Sequence, residues 1–453
     1  MTNSPVRNSK KQTKLGLIAM MAICVGLVIV QGSMISALQG IGIGGSAFIL
    51  AMCCALVIAQ CNAMSFSELA LIFPQEGSLA VYTQKAIGHF PAIVAVFSGY
   101  VVVAILAMPV EMLLVEAILQ QLFPSAEYIK LVPIIMLGTL TFTNLIGADV
   151  FSKIQNVLSF VLISALVIVG VVAVTGLTNA ASLANPKDIF NFTQAINGEF
   201  IGLIGLAMWM MVGVEFICPM ITQVKSPTVN IPRSMQLSLL VIFAVFVTFT
   251  FGATRYVTDE TLMNSPLPYL DFTQAIMGDI GLIVAAVLAL TATCSTINTV
   301  LASVPRMLHG MAEQGQVFPQ LKVSNRFGTP WLATVGLALC AMVPFLAFGI
   351  ESLLVLVIAA TTSWLLAYIV AHINVIVLRR RQPNLDRPFK TPLYPLPQII
   401  GILAMVYVAL NNSPDPAMTH QVYAITGGIL FVVSVIAALW VKFYMKRNLF
   451  SPD

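Results

Sequence analysis

The run IVQGSMISALQGIGIGGS (Ile29–Ser46) lies inside an apolar segment long enough to cross a bilayer, yet it puts Gln31, Gly32 and Ser33 at its middle. Glycine costs up to about 1 kcal/mol in a helix interior relative to alanine. Any backbone group freed in hydrocarbon must find another partner, so an interruption at this depth is tolerated only where it is buried in protein or lines a cavity. The way these three residues are read decides what kind of membrane protein this is.

That it is a membrane protein follows from composition. With 58% hydrophobic and 9% charged residues and a mean hydropathy of +0.94, the chain cannot clothe a soluble globule. A spanning helix needs about 20 predominantly apolar residues. Such segments fall near 15–38, 46–70, 91–121, 129–148, 154–176, 198–222, 235–255, 279–305, 331–349, 351–378, 397–413 and 421–443. The expected fold is an all-α membrane protein of twelve transmembrane helices. Loops that stay in the cytoplasm retain Lys and Arg. With both termini inside, 19 of the 22 basic residues are cytoplasmic, including Arg7, Lys10, Lys11 and Lys14, and only Lys130, Lys187 and Arg255 lie outside. An extra or missing helix would scramble that segregation.

The same bias accounts for the net charge of +4 through anionic lipid, without a nucleic-acid partner. Seven cysteines all fall within the spans and read as small core residues, in no C-x-x-C spacing; four scattered histidines form neither a metal cluster nor a nucleophile–base pair. No metal, cofactor or catalytic residue is expected. The polar connections near 177–197, 256–278 and 306–330 are too short for an independent core, so the chemistry must sit in the membrane.

A counterpart to Gly32 occurs five helices later. GLIGLAMWMMVGVEFICP (202–219) carries Gly213 near its centre, Glu215 beside it and Pro219 beyond. Interrupted helices at matching positions of two halves point to a midplane binding site of a transporter.

Five ordered motifs then carry a resemblance: SELALIFPQEGSLAVYTQKAIG (67–88), TNLIGADVFSKIQNVLS (143–159), QVKSPTVNIPRSM (223–235), VPRMLHGMAEQGQVFPQLKVSNRFGTP (304–330) and RRRQPNLDRPFKTPLYPLP (379–397). Over nearly its whole length the chain resembles permeases of the amino acid, polyamine and organocation (APC) superfamily. The resemblance implies two inverted five-helix repeats, helices 1–5 (15–176) and 6–10 (198–378), with interrupted helices 1 and 6. Around them stand an N-terminal cytoplasmic tail (1–14), an outer loop (177–197), a basic inner loop (379–396), helices 11–12 (397–443) and a C-terminal cytoplasmic tail (444–453).

If helix 1 unwinds at Gln31-Gly32-Ser33, the half-helix after it offers unpaired N–H groups and the positive end of its dipole, a site for a substrate carboxylate. The superfamily commonly has Gly-Ser-Gly there, where this chain has Gly32-Ser33-Met34. Carbonyls freed near Trp209, Met210 and Met211 would accept from a substrate ammonium. WMMVGVE (209–215) resembles the Trp-x-Phe-x-Gly-Val-Glu of exchangers of basic amino acids and their amines, which implies an aromatic gate at Trp209 and proton-linked gating at Glu215.

Glu111 and Glu215 lie deep in spans, where a charge costs roughly 2.5–3.5 kcal/mol or more. Glu111 reads as a counter-charge for an ammonium or a proton carrier, or else as a protonated carboxyl bonded to a neighbouring helix. Hydroxyls of Ser295 and Thr296 on helix 8 mark a possible ion site. The base that many relatives carry on helix 5 is missing from SFVLISAL (159–166), so sodium symport, proton symport and exchange against a counter-substrate all stay open. The chain is thus expected to be a secondary transporter of an amino acid or related organic amine in the cell membrane, working by alternating access. The alternatives are a polyamine or other organic-amine importer or exchanger, and a transport-inactive nutrient sensor with the permease fold.

Overall fold

The computed structural model describes residues 14–184, 191–192, 200–412 and 418–452. Arg7, Lys10, Lys11 and Lys187 of the charge count lie outside them. Within the described residues the regular structure is helical apart from one isolated bridge between Leu15 and Val224.

Pass 1 is a broken pair, α1 (Leu17–Val28) and α2 (Gln31–Gly44), bent by 63°. Pass 2 is α3 (Ser46–Ile72), followed by the short α4 (Leu79–Ala86). Pass 3 runs from α5 (His89–Val96) through a π-helical turn (Phe97–Val101) into α6 (Val102–Leu122). Passes 4 and 5 are α7 (Leu131–Leu145) and α8 (Ala148–Thr175). Pass 6 is α9 (Phe200–Met208), then an irregular stretch, then a 3-10 helix (Val214–Gln223). Pass 7 is α10 (Pro227–Ala253); two short helices, α11 (Asp259–Asn264) and α12 (Pro268–Met277), lead to pass 8, α13 (Asp279–Glu313). The last four are α14 (Trp331–Ala347), α15 (Ile350–Arg381), α16 (Leu396–Leu410) and α17 (Thr419–Leu439). Twelve passes result.

Seven of them are long and apolar enough to cross a bilayer as single helices, and the bent pair makes an eighth. Three more are apolar helices of 10–17 residues, and pass 6 is divided by its own break.

Burial separates core from periphery. In the most apolar window of pass 3, 67% of the residues are buried, against 17% in pass 12. Phe431, Val432 and Ile436 of α17, like Phe160 and Ile168 of α8, face outward, as side chains that meet acyl chains should. The half-helix α1 packs against α8, α10, α13 and the 3-10 helix of pass 6, so the two breaks lie within the bundle. Cys53 and Cys340 correct the expectation of seven core cysteines: they are exposed on the outer surface, and Cys54 and Cys294 are only partly buried. A thiol behaves as a small hydrophobe and is as much at home against lipid as in a core.

Between pass 2 and the end of pass 10 lies a buried ion pair that holds the basic loop. Glu68 accepts from Arg379 Nε at 2.8 Å and Nη2 at 2.7 Å and from the Thr391 N–H at 2.8 Å, with Arg387 Nε 3.5 Å away. Every oxygen of the carboxylate is thereby matched, which lets a charge that is 1% exposed persist there.

Candidate substrate-binding site

The helix break in pass 1 does not fall at Gln31-Gly32-Ser33. The unwound residues are Ile29 and Val30, and Gln31, Gly32 and Ser33 form the first turn of α2. Val30 is the extended N-cap residue, and its N–H is taken by the Ser33 hydroxyl at 2.9 Å. The reason is local: β-branched Ile29 and Val30 favour extended backbone, and Ser33 suits the third position of a capped turn. The N–H groups of Gln31 and Gly32 are left without helical partners.

Their partner is Glu111. Gln31 N–H donates to Oε2 at 3.3 Å and Gly32 N–H to Oε1 at 3.4 Å. Thr293 of α13 donates its hydroxyl to Oε2 at 3.0 Å and accepts from Gln31 Nε2 at 2.8 Å. Tyr269 of α12 donates to Gln31 Oε1 at 2.7 Å. Hydrogen bonds thus run from Tyr269 through Gln31 and Thr293 and end on the Glu111 carboxylate. Neither Thr293 nor Tyr269 stood out in the sequence. Tyr269 comes from a connection that reads as polar loop, and Thr293 is one of several hydroxyls on its helix.

The break in pass 6 runs from Trp209 to Gly213. Met210 and Met211 N–H groups close onto the Ala207 and Met208 carbonyls at 3.2 and 2.9 Å. Gly213 has φ +119°, which disfavours any side chain there, and its N–H donates to the Tyr368 hydroxyl at 3.0 Å. Among the described residues, no backbone N–H is bonded to the carbonyls of Trp209, Met210, Met211 or Val212. Two residues on, Glu215 is fully buried and accepts from three aromatic donors: Tyr368 at 2.7 Å, Trp364 Nε1 at 3.2 Å and Tyr100 at 3.3 Å. The π-helical turn of pass 3 supplies Tyr100, as such turns often supply functional side chains.

Other candidate residues fall elsewhere. Met34 is buried in the core and takes no part in the Glu111 network. The Trp209 ring lies in a small enclosed gap with Met208, Val212, Thr361, Trp364 and Val408, and its N–H donates to Asn412 at 3.2 Å. The indole is therefore turned toward passes 10 and 11, and what Trp209 offers the break is its carbonyl. Ser295 and Thr296 meet α1 rather than open space. Gln155 Nε2 donates to Ser295 Oγ at 2.6 Å and to the Ala22 carbonyl at 3.1 Å, Ser159 donates to the same carbonyl at 2.7 Å, and Thr296 donates to the Gly26 carbonyl at 3.2 Å. The amide and hydroxyls thus knit α1, α8 and α13 together.

A family model described as amino acid permease matches residues 15–441. The chain belongs to that family. The permease is 25% identical over 427 residues to the cystine/glutamate transporter of Homo sapiens, covering 91% of this chain and 83% of that protein. It is 22% identical over 445 residues to the b(0,+)-type amino acid transporter 1 of Mus musculus, covering 95% and 89%. It is 25% identical over 461 residues to the glutamate/serine transporter AimA of Bacillus subtilis, covering 96% and 82%. Its fold matches the crystal structure of the Eremococcus coleocola manganese transporter in complex with an aromatic bis-isothiourea substituted compound, with a TM-score of 0.61 and 97% of each chain covered at 12% identity. The permease is a multi-pass membrane transporter of an amino acid or related organic amine.

Proposed function

We propose that substrate binds between the two helix breaks and that alternating access carries it across the cytoplasmic membrane, with both termini in the cytoplasm. The observation that carries this reading is the pairing of opposite backbone poles: N–H groups of Gln31 and Gly32, met by Glu111, at one break, and at the other the carbonyls of Trp209 to Val212, which accept no backbone N–H among the described residues. Broken helices at depth are tolerated only where they are buried in protein or line a cavity, and a pair of them at matching positions of two halves marks the binding site in transporters. The halves that move are residues 15–176 and 198–378, and helices 11–12 stay outside them. The 19-to-3 distribution of basic residues supports the orientation.

Coupling falls to the buried acids. Among the described residues, the hydrogen bonds to Glu111 and Glu215 come from hydroxyls, amides, an indole and backbone, never from Lys or Arg. A carboxyl so placed can exchange a proton as its surroundings change. With Gln155 and Ser159 hydrogen-bonded beside Ser295, proton coupling or exchange against a counter-substrate is favoured over sodium symport. The test is uptake of labelled substrate by proteoliposomes. Accumulation driven by an inward proton gradient or by preloaded substrate, and unaffected by a sodium gradient, is expected. No uptake under any gradient would return the chain to a sensor role; sodium-driven uptake would reinstate Ser295 and Thr296.

A further inference from the structure

The anion pole of the site is already taken. A half-helix N-terminus with two open N–H groups would hold the carboxylate of an amino acid, but here the N–H groups of Gln31 and Gly32 both end on Glu111. Glu111 is held there deliberately: Thr293 donates to it, Gln31 Nε2 reaches both Thr293 and the Glu111 carbonyl, and Tyr269 fixes Gln31 from the far side. From Tyr269 through Gln31 and Thr293 the donors follow one another toward the carboxylate. Gly32 is partly exposed next to it, and a Cβ added there would meet nothing nearer than 3.8 Å, with Glu111 Oε1 at 3.9 Å. Glycine at 32 thus sets no side chain between Glu111 Oε1 and the partly exposed helix end, the side from which a ligand would approach.

We infer that the substrate is an organic cation without a free carboxylate, a primary amine of the kind left when an amino acid loses CO2, and that Glu111 supplies from the protein the negative group such a substrate lacks. The inference rests on the proposed site between the two breaks and narrows its substrate class. An amino acid entering the same place would set its own carboxylate against Glu111, with no protein cation hydrogen-bonded there to offset the repulsion. An amine meets Glu111 on one side and the carbonyls of Trp209 to Val212 on the other, and both are acceptors suited to an ammonium.

Matched pairs decide it. Purified full-length protein in detergent is titrated with arginine and agmatine, lysine and cadaverine, and phenylalanine and phenethylamine, reading thermal stabilisation and binding heat. For at least one pair the amine should bind about tenfold or more tightly than its parent amino acid. In Glu111→Gln, which keeps the shape and most of the hydrogen bonding, that amine should lose its advantage. In Glu111→Ala, which vacates the half-helix N-terminus, the preference should turn toward the amino acid. If Glu111→Ala does not fold, the parent and Glu111→Gln suffice. A parent that binds the amino acid as tightly as the amine, or an amine preference untouched in Glu111→Gln, overturns the inference and leaves the transport site standing. A parent that responds to neither member of any pair overturns the inference together with the site.

Discussion

Tyr368 binds the two parts of the pass 6 break to each other: its hydroxyl donates to Glu215 Oε2 at 2.7 Å and accepts from the Gly213 N–H at 3.0 Å. One oxygen therefore fixes both the left-handed glycine and the buried acid. Tyr368→Phe removes it while keeping the ring against Phe66 and Trp364. A buried N–H and a carboxylate oxygen each lose a partner, a loss of about 1–3 kcal/mol per group. A clear drop in melting temperature is expected in detergent, together with slowed transport. An unchanged melt would show that water replaces the hydroxyl.

Glu215→Gln tests the coupling role. The amide retains one carbonyl oxygen, enough for either Tyr368 or the Trp364–Tyr100 pair, and cannot change charge. If Glu215 binds a proton differently in the two access states, their balance depends on pH. Transport by the variant should then be flatter with pH than transport by the parent, with substrate binding retained. Superimposable profiles in proteoliposomes would leave Glu111 as the coupling acid.

Glu76 ties the ends of passes 6 and 8 to the connection after pass 2. Glu76, between passes 2 and 3, accepts from Thr222 at 3.0 Å and lies 3.4 Å from His309 Nδ1. Burial alone would push the Glu76 carboxyl up, but the His309 ring, the Arg306 charge and the Thr222 hydroxyl outweigh it and hold it below its ordinary value of 4.5. A depressed folded value means that the stabilisation is fully present above pH 4.5 and is lost as pH falls through the depressed value. The melting temperature of the parent should fall in that acid range more steeply than that of Glu76→Gln. Parallel acid limbs would show that the Glu76 contacts add nothing to stability.

Glu68→Ala should be the most damaging of these changes to folding. It strips Arg379 and the buried Arg387 of their shared carboxylate and frees the Thr391 N–H. Losing one partner of a buried pair costs about 3–5 kcal/mol. Arg379→Ala should cost less, because Arg387 and Thr391 still serve Glu68. Yield and melting temperature of the two purified variants give the order, and a reversed order would contradict it.

Sequence alone determined the twelve passes, because bilayer thickness fixes how long an apolar helix must be, and the placement of Lys and Arg carried the expected orientation. It also located both breaks to within a few residues, since Gln31-Gly32-Ser33 and Gly213 interrupt largely apolar runs, and it marked Glu111 and Glu215 by their depth. Tertiary structure alone decided what those residues meet. The helix opens at Ile29 and Val30, and Gln31 finds Thr293 262 positions away and Tyr269 238 positions away. Trp209 turns toward Asn412. Hydrophobic periodicity reports only whether a side chain faces lipid or protein. The choice of partner for a buried hydrogen bond is made when passes distant in the chain pack together, and here that choice set a carboxylate of the protein itself on the helix end that reads, in sequence, as a place for the substrate's.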